Sequence, residues 1–293
     1  MPHRASSKIV SRIKSLLRPL IHKSRILHEL MLLVTERRGP WAFMRGLQWI
    51  LLGLFKHKTV VSTEQGTFAI STRDAAIARH LYCDEEFELN SIKSLPELLP
   101  RAGFPRHTTI DTLFDIGANI GVISIGMVKL GIARRAVAIE PEPRNLDLLE
   151  ENIRLNGLAD RFTCIHGAVS DKSGSFQLEL SPVNHGDHRI RKVPVSDITP
   201  EKCAESGRSV LEVECRTLDA IVSGFLRSNR IPGIWFGLMF KGTRASSSRA
   251  AQTISSRVSR PSPSSGRTAC CAQECPLRLI WRPSPPSGLA SLT

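Results

Sequence analysis

Between Thr112 and Gly121 the chain reads Thr-Leu-Phe-Asp-Ile-Gly-Ala-Asn-Ile-Gly, an apolar run that meets an acidic residue and then a turn punctuated by glycine. That order constrains the fold strongly. The apolar run predicts a strand, and Gly117 and Gly121 allow backbone N–H groups to approach a ligand with no Cβ between. The apolar spacing after the turn predicts a helix from about Ile120, with its positive end at the same point. Asp115 then stands as a fixed acceptor at the carboxyl end of the strand, where open α/β sheets hold their ligands.

The next fifty residues extend the pattern. Ile120, Ile123, Ser124, Met127, Val128 and Leu130 suit one helix with a core-facing stripe, and Gly131 sits where a C′ glycine ends a helix. A second strand, Ala136 to Ile139, stops at Glu140, an acidic residue suitably far along to bind ribose hydroxyls. Pro143 to Asn156 reads as a helix closed by Gly157, and Phe162 to Ile165 as a third strand. The order is βαβαβ, with right-handed crossovers expected and a mostly parallel sheet. Two cofactor classes suit such a unit. A dinucleotide loop has G-x-G-x-x-G around a pyrophosphate, whereas here Asn119 takes the place of the middle glycine. A methionine carboxylate and amine need fewer bare N–H groups, and an acidic strand end can hold the ammonium. The reading is S-adenosylmethionine, with a nicotinamide-dependent Rossmann oxidoreductase as the alternative.

The run F-D-I-G-A-N-I-G, then A-I-E-P-E-P with N-L-x-L-L-x-x-N-I-x-x-N-G, then H-G-A-V-S-D-K-S-G-S-F, resembles the FkbM-type methyltransferases, from about Val60 to about Pro232. The resemblance implies a class I methyltransferase (Rossmann-like) fold. It also implies methyl transfer to a hydroxyl, on a small molecule, a sugar or a glycosylated product. It puts Asp115, Gly117, Ala118, Asn119 and Gly121 around the methionine part of S-adenosylmethionine, Glu140 on its ribose, and Ala168 and Val169 near its adenine. Asn184, His185, Asp187 and His188 would form a loop over the active site. His185, Asp187 and His188 are thus the candidate catalytic groups, since histidine can act as a base near neutral pH. Positioning would carry most of the rate.

The resemblance stops near Phe236. The family's next strand, ending in D-x-x-G-x-E, is missing, and Ser-, Arg- and Pro-rich sequence takes its place. Reading the tail's codons from their third base permits a string containing D-x-x-G-x-E. The expectation is therefore a reading frame shifted near Phe236, with an incomplete sheet, exposed apolar faces and impaired activity. Three segments result: a basic helical arm, 1–58; the methyltransferase domain, 59–235; and a low-complexity tail, 236–293.

Charge divides the same way. The net +13 is made of +10 in residues 1–58, −4 in 59–235 and +7 in 236–293, so the domain itself is mildly acidic and nucleic acid is not expected as a partner. Ile9, Val10, Ile13, Leu16, Leu17, Leu20 and Ile21 fall at helical spacing opposite Lys8, Arg12, Lys14 and Arg18. Such a helix packs on the domain or on a second subunit. The other reading is contact with the inner face of a membrane, which would suit a non-catalytic peripheral membrane protein. The apolar run Trp49 to Phe55 is too short to span a bilayer, which points to a cytoplasmic chain. Scattered cysteines predict no disulfide, and no structural metal is expected.

Overall fold

The computed structural model describes residues 25–35, 39–101, 109–181, 185–186, 188–190, 208–229, 235–239 and 278–282. The amphipathic segment 9–21, Asn184, Asp187 and most of 236–293 lie outside them. Helices α1 (Arg25–Thr35) and α2 (Pro40–Phe55) lead into a hairpin, β1 (Lys58–Thr63) and β2 (Gly66–Ser71), and then into α3 (Ile77–Cys83) and α4 (Leu89–Arg101). The βαβαβ unit comes next as β3 (Ile110–Ile116), α5 (Val122–Lys129), β4 (Ala133–Glu140), α6 (Pro143–Leu155) and β5 (Phe162–His166). After it come β6 (Ala168–Ser170), β7 (Gly174–Leu180), β8 (Arg189–Ile190), β9 (Ser209–Thr217), α7 (Leu218–Asn229), β10 (Trp235–Met239) and β11 (Arg278–Arg282).

The fold is α/β, of the class I methyltransferase type. Its core sheet has the order β11-β10-β3-β4-β5, in which β3, β4, β5 and β10 are parallel and β11 runs antiparallel to β10. Six of the seven residues of β3 are buried, as expected of a parallel strand covered on both faces. Alternate side chains sort to opposite sides: Leu113 joins the layer of α4, α5, α6 and β2, while Phe114 joins α7 and meets Phe225 edge-on at 5.7 Å. Helix α5 differs from the expected single stripe, because every residue from Val122 to Val128 is buried. It lies between the sheet and the α4 and β2 layer, so it has no solvent face.

Both predicted stops close in the same way. Ile132 N–H donates to the Met127 carbonyl and Gly131 N–H to Val128, and Leu158 and Gly157 repeat the pattern at the end of α6. Two short strands fall in or across the 236–293 segment, where none was expected. The apolar run from Trp235 to Met239 lies against β3 in register Leu238 to Asp115, and Arg278–Arg282 pairs with it. A second sheet, β6-β9-β7-β8, sits beyond the carboxyl end of β4, where Gly167 N–H donates to the Glu140 carbonyl.

Candidate functional site

The site forms where β3 and β4 end side by side. Asp115 is fully buried, and no donor reaches either carboxylate oxygen with hydrogen-bonding geometry. Loss of water lifts its carboxyl from 3.8 to about 6, with nearby Ser124 on α5 offsetting part of the rise. A buried carboxylate without a partner is costly, and it is the group a ligand's ammonium would satisfy. Beside it, a Cβ built on Gly117 would meet only open space.

The turn's amides are not bare, contrary to the expected role of the glycines. Gly117 and Ala118 both donate to the Ile139 carbonyl, Asn119 donates to Glu140 Oε2 at 2.8 Å, and Ile120 donates to Asn119 Oδ1. Gly121 caps α5 at φ 84°, where a Cβ would fall 2.5 Å from Leu149. Its smallness thus serves the packing of α5 on α6. With these amides taken up internally, the turn itself offers few bare N–H groups to a pyrophosphate, which weighs against the dinucleotide alternative.

Glu140 is 3% exposed. It accepts from the Asn119 and Glu142 amides and, at 3.5 Å, from Asn145 Nδ2. Burial dominates over those bonds and raises its carboxyl from 4.5 to about 7. Ala168 and Val169 are buried on β6, just past the end of β5.

His185 is brought over this turn by its backbone. Its carbonyl accepts from Asn119 Nδ2 at 3.0 Å and Asn145 Nδ2 at 3.3 Å, and its amide donates to Asp74 Oδ1 at 3.2 Å. Asp74 in turn accepts from the Ala76 and Ala78 amides at the start of α3. His188 Nδ1 accepts from the Ser181 amide, and the imidazoles of His185 and His188 lie 6.1 Å apart with their planes inclined by 29°. The His185 backbone thus lies against the turn, and His188 lies next to His185. Sequence reasoning missed Asp74, Glu142 and Asn145. For the last two the signal was available, since Glu-Pro-x-Asn directly after a strand end is an N-terminal cap, and Glu142 indeed accepts from the Asn145 amide at 2.7 Å. A cleft of about 510 Å³ opens on the outer side of the His185 segment, with Asn145 and His185 in its wall.

Residues 106–180, which contain this turn, Glu140 and the third strand, match the family described as the TRM5/TYW2 methyltransferase domain. Among curated relatives, the ribosomal protein L11 methyltransferase of Geobacter sp. (strain M21) is 33% identical over 89 residues, covering 30% of this chain and 29% of that protein. That of Thermotoga maritima is 28% identical over 121 residues, 35% of this chain and 45% of that protein. The chain thus spans less than half the length of these relatives. Similar solved structures include M. jannaschii TYW2 in complex with AdoMet, at 21% identity and a TM-score of 0.27 over 38% of this chain and 43% of that one. Another is the M. jannaschii tRNA m1G37 methyltransferase, at 13% identity and a TM-score of 0.31 over 78% of this chain and 54% of that one.

Methyltransferase chemistry and S-adenosylmethionine as cofactor agree with the family match. Two expectations are corrected by it. The family whose model matches is the TRM5/TYW2 methyltransferase domain, over residues 106–180, and not FkbM. The small-molecule or saccharide acceptor, with nucleic acid excluded, is overturned as well, by the match to the TRM5/TYW2 methyltransferase domain and by curated relatives named for a ribosomal protein. No described helix is long and apolar enough to cross a membrane.

Proposed function

We propose that the chain is an S-adenosylmethionine-dependent methyltransferase acting on a macromolecular acceptor. The observation that carries this reading is the buried, unpartnered Asp115 carboxylate beside the open space at Gly117. S-adenosylmethionine supplies an activated methyl group on a sulfonium. Asp115 holds the ammonium of its methionine part, and Glu140, whose oxygens retain lone pairs beyond those facing the backbone, accepts from the ribose hydroxyls. Ala168 and Val169 offer an apolar wall to the adenine. Asn119, rather than touching the cofactor, ties the His185 segment to the turn, and His185 with His188 stands on the acceptor side.

RNA is the first reading for the acceptor, favoured by the arginine and histidine side chains of the adjoining cleft. A ribosomal protein is the second, favoured by the curated relatives. Calorimetric titration of S-adenosylhomocysteine into the full chain and its Asp115→Asn variant tests the cofactor site. Binding by the wild type that weakens at least about tenfold in the variant is expected; no heat from the wild type would sink the reading. Transfer of labelled methyl to total RNA or to ribosomal protein then decides between the acceptors.

A further inference from the structure

The cleft beside the His185 segment is built from the ends of the β1-β2 hairpin, the first turns of α6, and the facing ends of β7 and β9. Its wall carries Lys58, Arg73 and Arg144, with His57, His185 and His188. Lys58 is taken up by Glu151 at 2.8 Å. Arg73 has the His57 ring at 3.5 Å as its side chain's neighbour, and neither Arg73 nor Arg144 makes an ion pair among the described residues. Among the described residues the acids in the wall are Asp147 and Glu142, and the latter's carboxylate caps α6. Two exposed guanidinium groups without an ion pair among the described residues, and three imidazoles, thus line one cleft. The volume suits a nucleotide-sized group.

We infer that this cleft is an acceptor-side phosphate site, in which Arg73 and Arg144 hold a backbone phosphate of an RNA. Guanidinium forks match phosphate oxygens in pairs, and imidazoles add donors when protonated. The inference rests on the methyltransferase reading through Asn145 and His185. Both line the cleft, and Asn145 also reaches Glu140 and the His185 carbonyl. A phosphate gripped there places the neighbouring nucleotide against the segment that lies over the cofactor turn.

The test uses the full chain, its Arg73→Ala and Arg144→Ala variants singly and together, and Lys172→Ala as a removal of exposed charge elsewhere. A short single-stranded RNA is titrated by fluorescence anisotropy, inorganic phosphate is added as competitor, and S-adenosylhomocysteine is titrated in parallel. Each arginine variant is expected to weaken RNA binding about five- to tenfold and to lower the salt slope by about one. Lys172→Ala should leave both unchanged, and phosphate should compete with RNA only where the arginines remain. S-adenosylhomocysteine binding should be the same in all five proteins. RNA bound equally by the wild type and the double variant overturns the inference, as does a wild type that binds no RNA. Arginine-dependent RNA binding without S-adenosylhomocysteine binding would keep the cleft and remove the methyltransferase reading.

Discussion

Asp115 and Glu140 give the site a dependence on pH whose sign is set by their burial. Both carboxyls are raised in the folded chain, to about 6 and about 7, so the folded state keeps their protons longer than the unfolded state does. Their contribution to stability is complete below the unfolded values and is lost as pH rises through the folded ones. The apo protein should therefore lose melting temperature from this source between about pH 4 and about pH 7. A ligand ammonium favours ionised Asp115, so the rise in melting temperature caused by S-adenosylhomocysteine should grow over that same window. The difference between 3.8 and about 6 corresponds to at most about 3 kcal/mol against the ionised form. Asp115→Asn should accordingly melt above the wild type at about pH 8 without ligand, while gaining nothing from ligand. A variant that melts lower at every pH and still responds to S-adenosylhomocysteine would show that Asp115 has another partner.

At the scale of elements, the site is held by contacts between α5, α6 and the hairpin. Gly121 is the tightest point: adding a methyl group puts it 2.5 Å from Leu149 at a backbone φ of 84°. Gly121→Ala should cost about 2–4 kcal/mol in urea unfolding, from overpacking and left-handed strain together. Asn152 works differently. Its side chain accepts from the Ala69 amide and donates to the Ala69 and Ile120 carbonyls, tying the edge of β2 and the cofactor turn to α6. Asn152→Ala leaves those buried groups without it and should cost about 2–3 kcal/mol, with weaker S-adenosylhomocysteine binding because Ile120 belongs to the turn. These contacts also mark where sequence reasoning ended. Strand, turn and helix from Ile110 to His166 are dictated by local periodicity and by Gly131 and Gly157, so they could be read directly. The clamp on His185 could not, because its amide meets Asp74 from 111 residues away. Nothing local to Asn119 says that its side chain faces a loop rather than a ligand. The burial of α5 on all sides was likewise hidden, since a helix that is apolar all round shows the same residues as one stripe read generously.

For the molecule as a whole, the helices before the domain belong to its core. Trp49 on α2 is fully buried among Phe68, Ile70 and Leu81, and its ring lies 5.2 Å from that of Tyr82. Its Nε1 donates to Glu29 on α1 at 3.0 Å, and Glu29 also accepts from Arg79 on α3 at 2.9 Å. Glu29 and Arg79 are 1% and 3% exposed, so α1, α2 and α3 meet at one buried ion pair. A physical boundary at residue 58 would remove both the indole that fills this part of the core and the carboxylate that faces Arg79. A chain starting at residue 59 should therefore be insoluble or lose its cooperative unfolding transition, whereas one starting at Arg25 should keep both that transition and its S-adenosylhomocysteine response. Trp49→Ala in the full chain should cost about 3–5 kcal/mol, as truncation of a buried tryptophan does. A soluble chain from residue 59 with the melting temperature of the full protein would show instead that the arm is an appendage, and Trp49→Ala would then be nearly neutral.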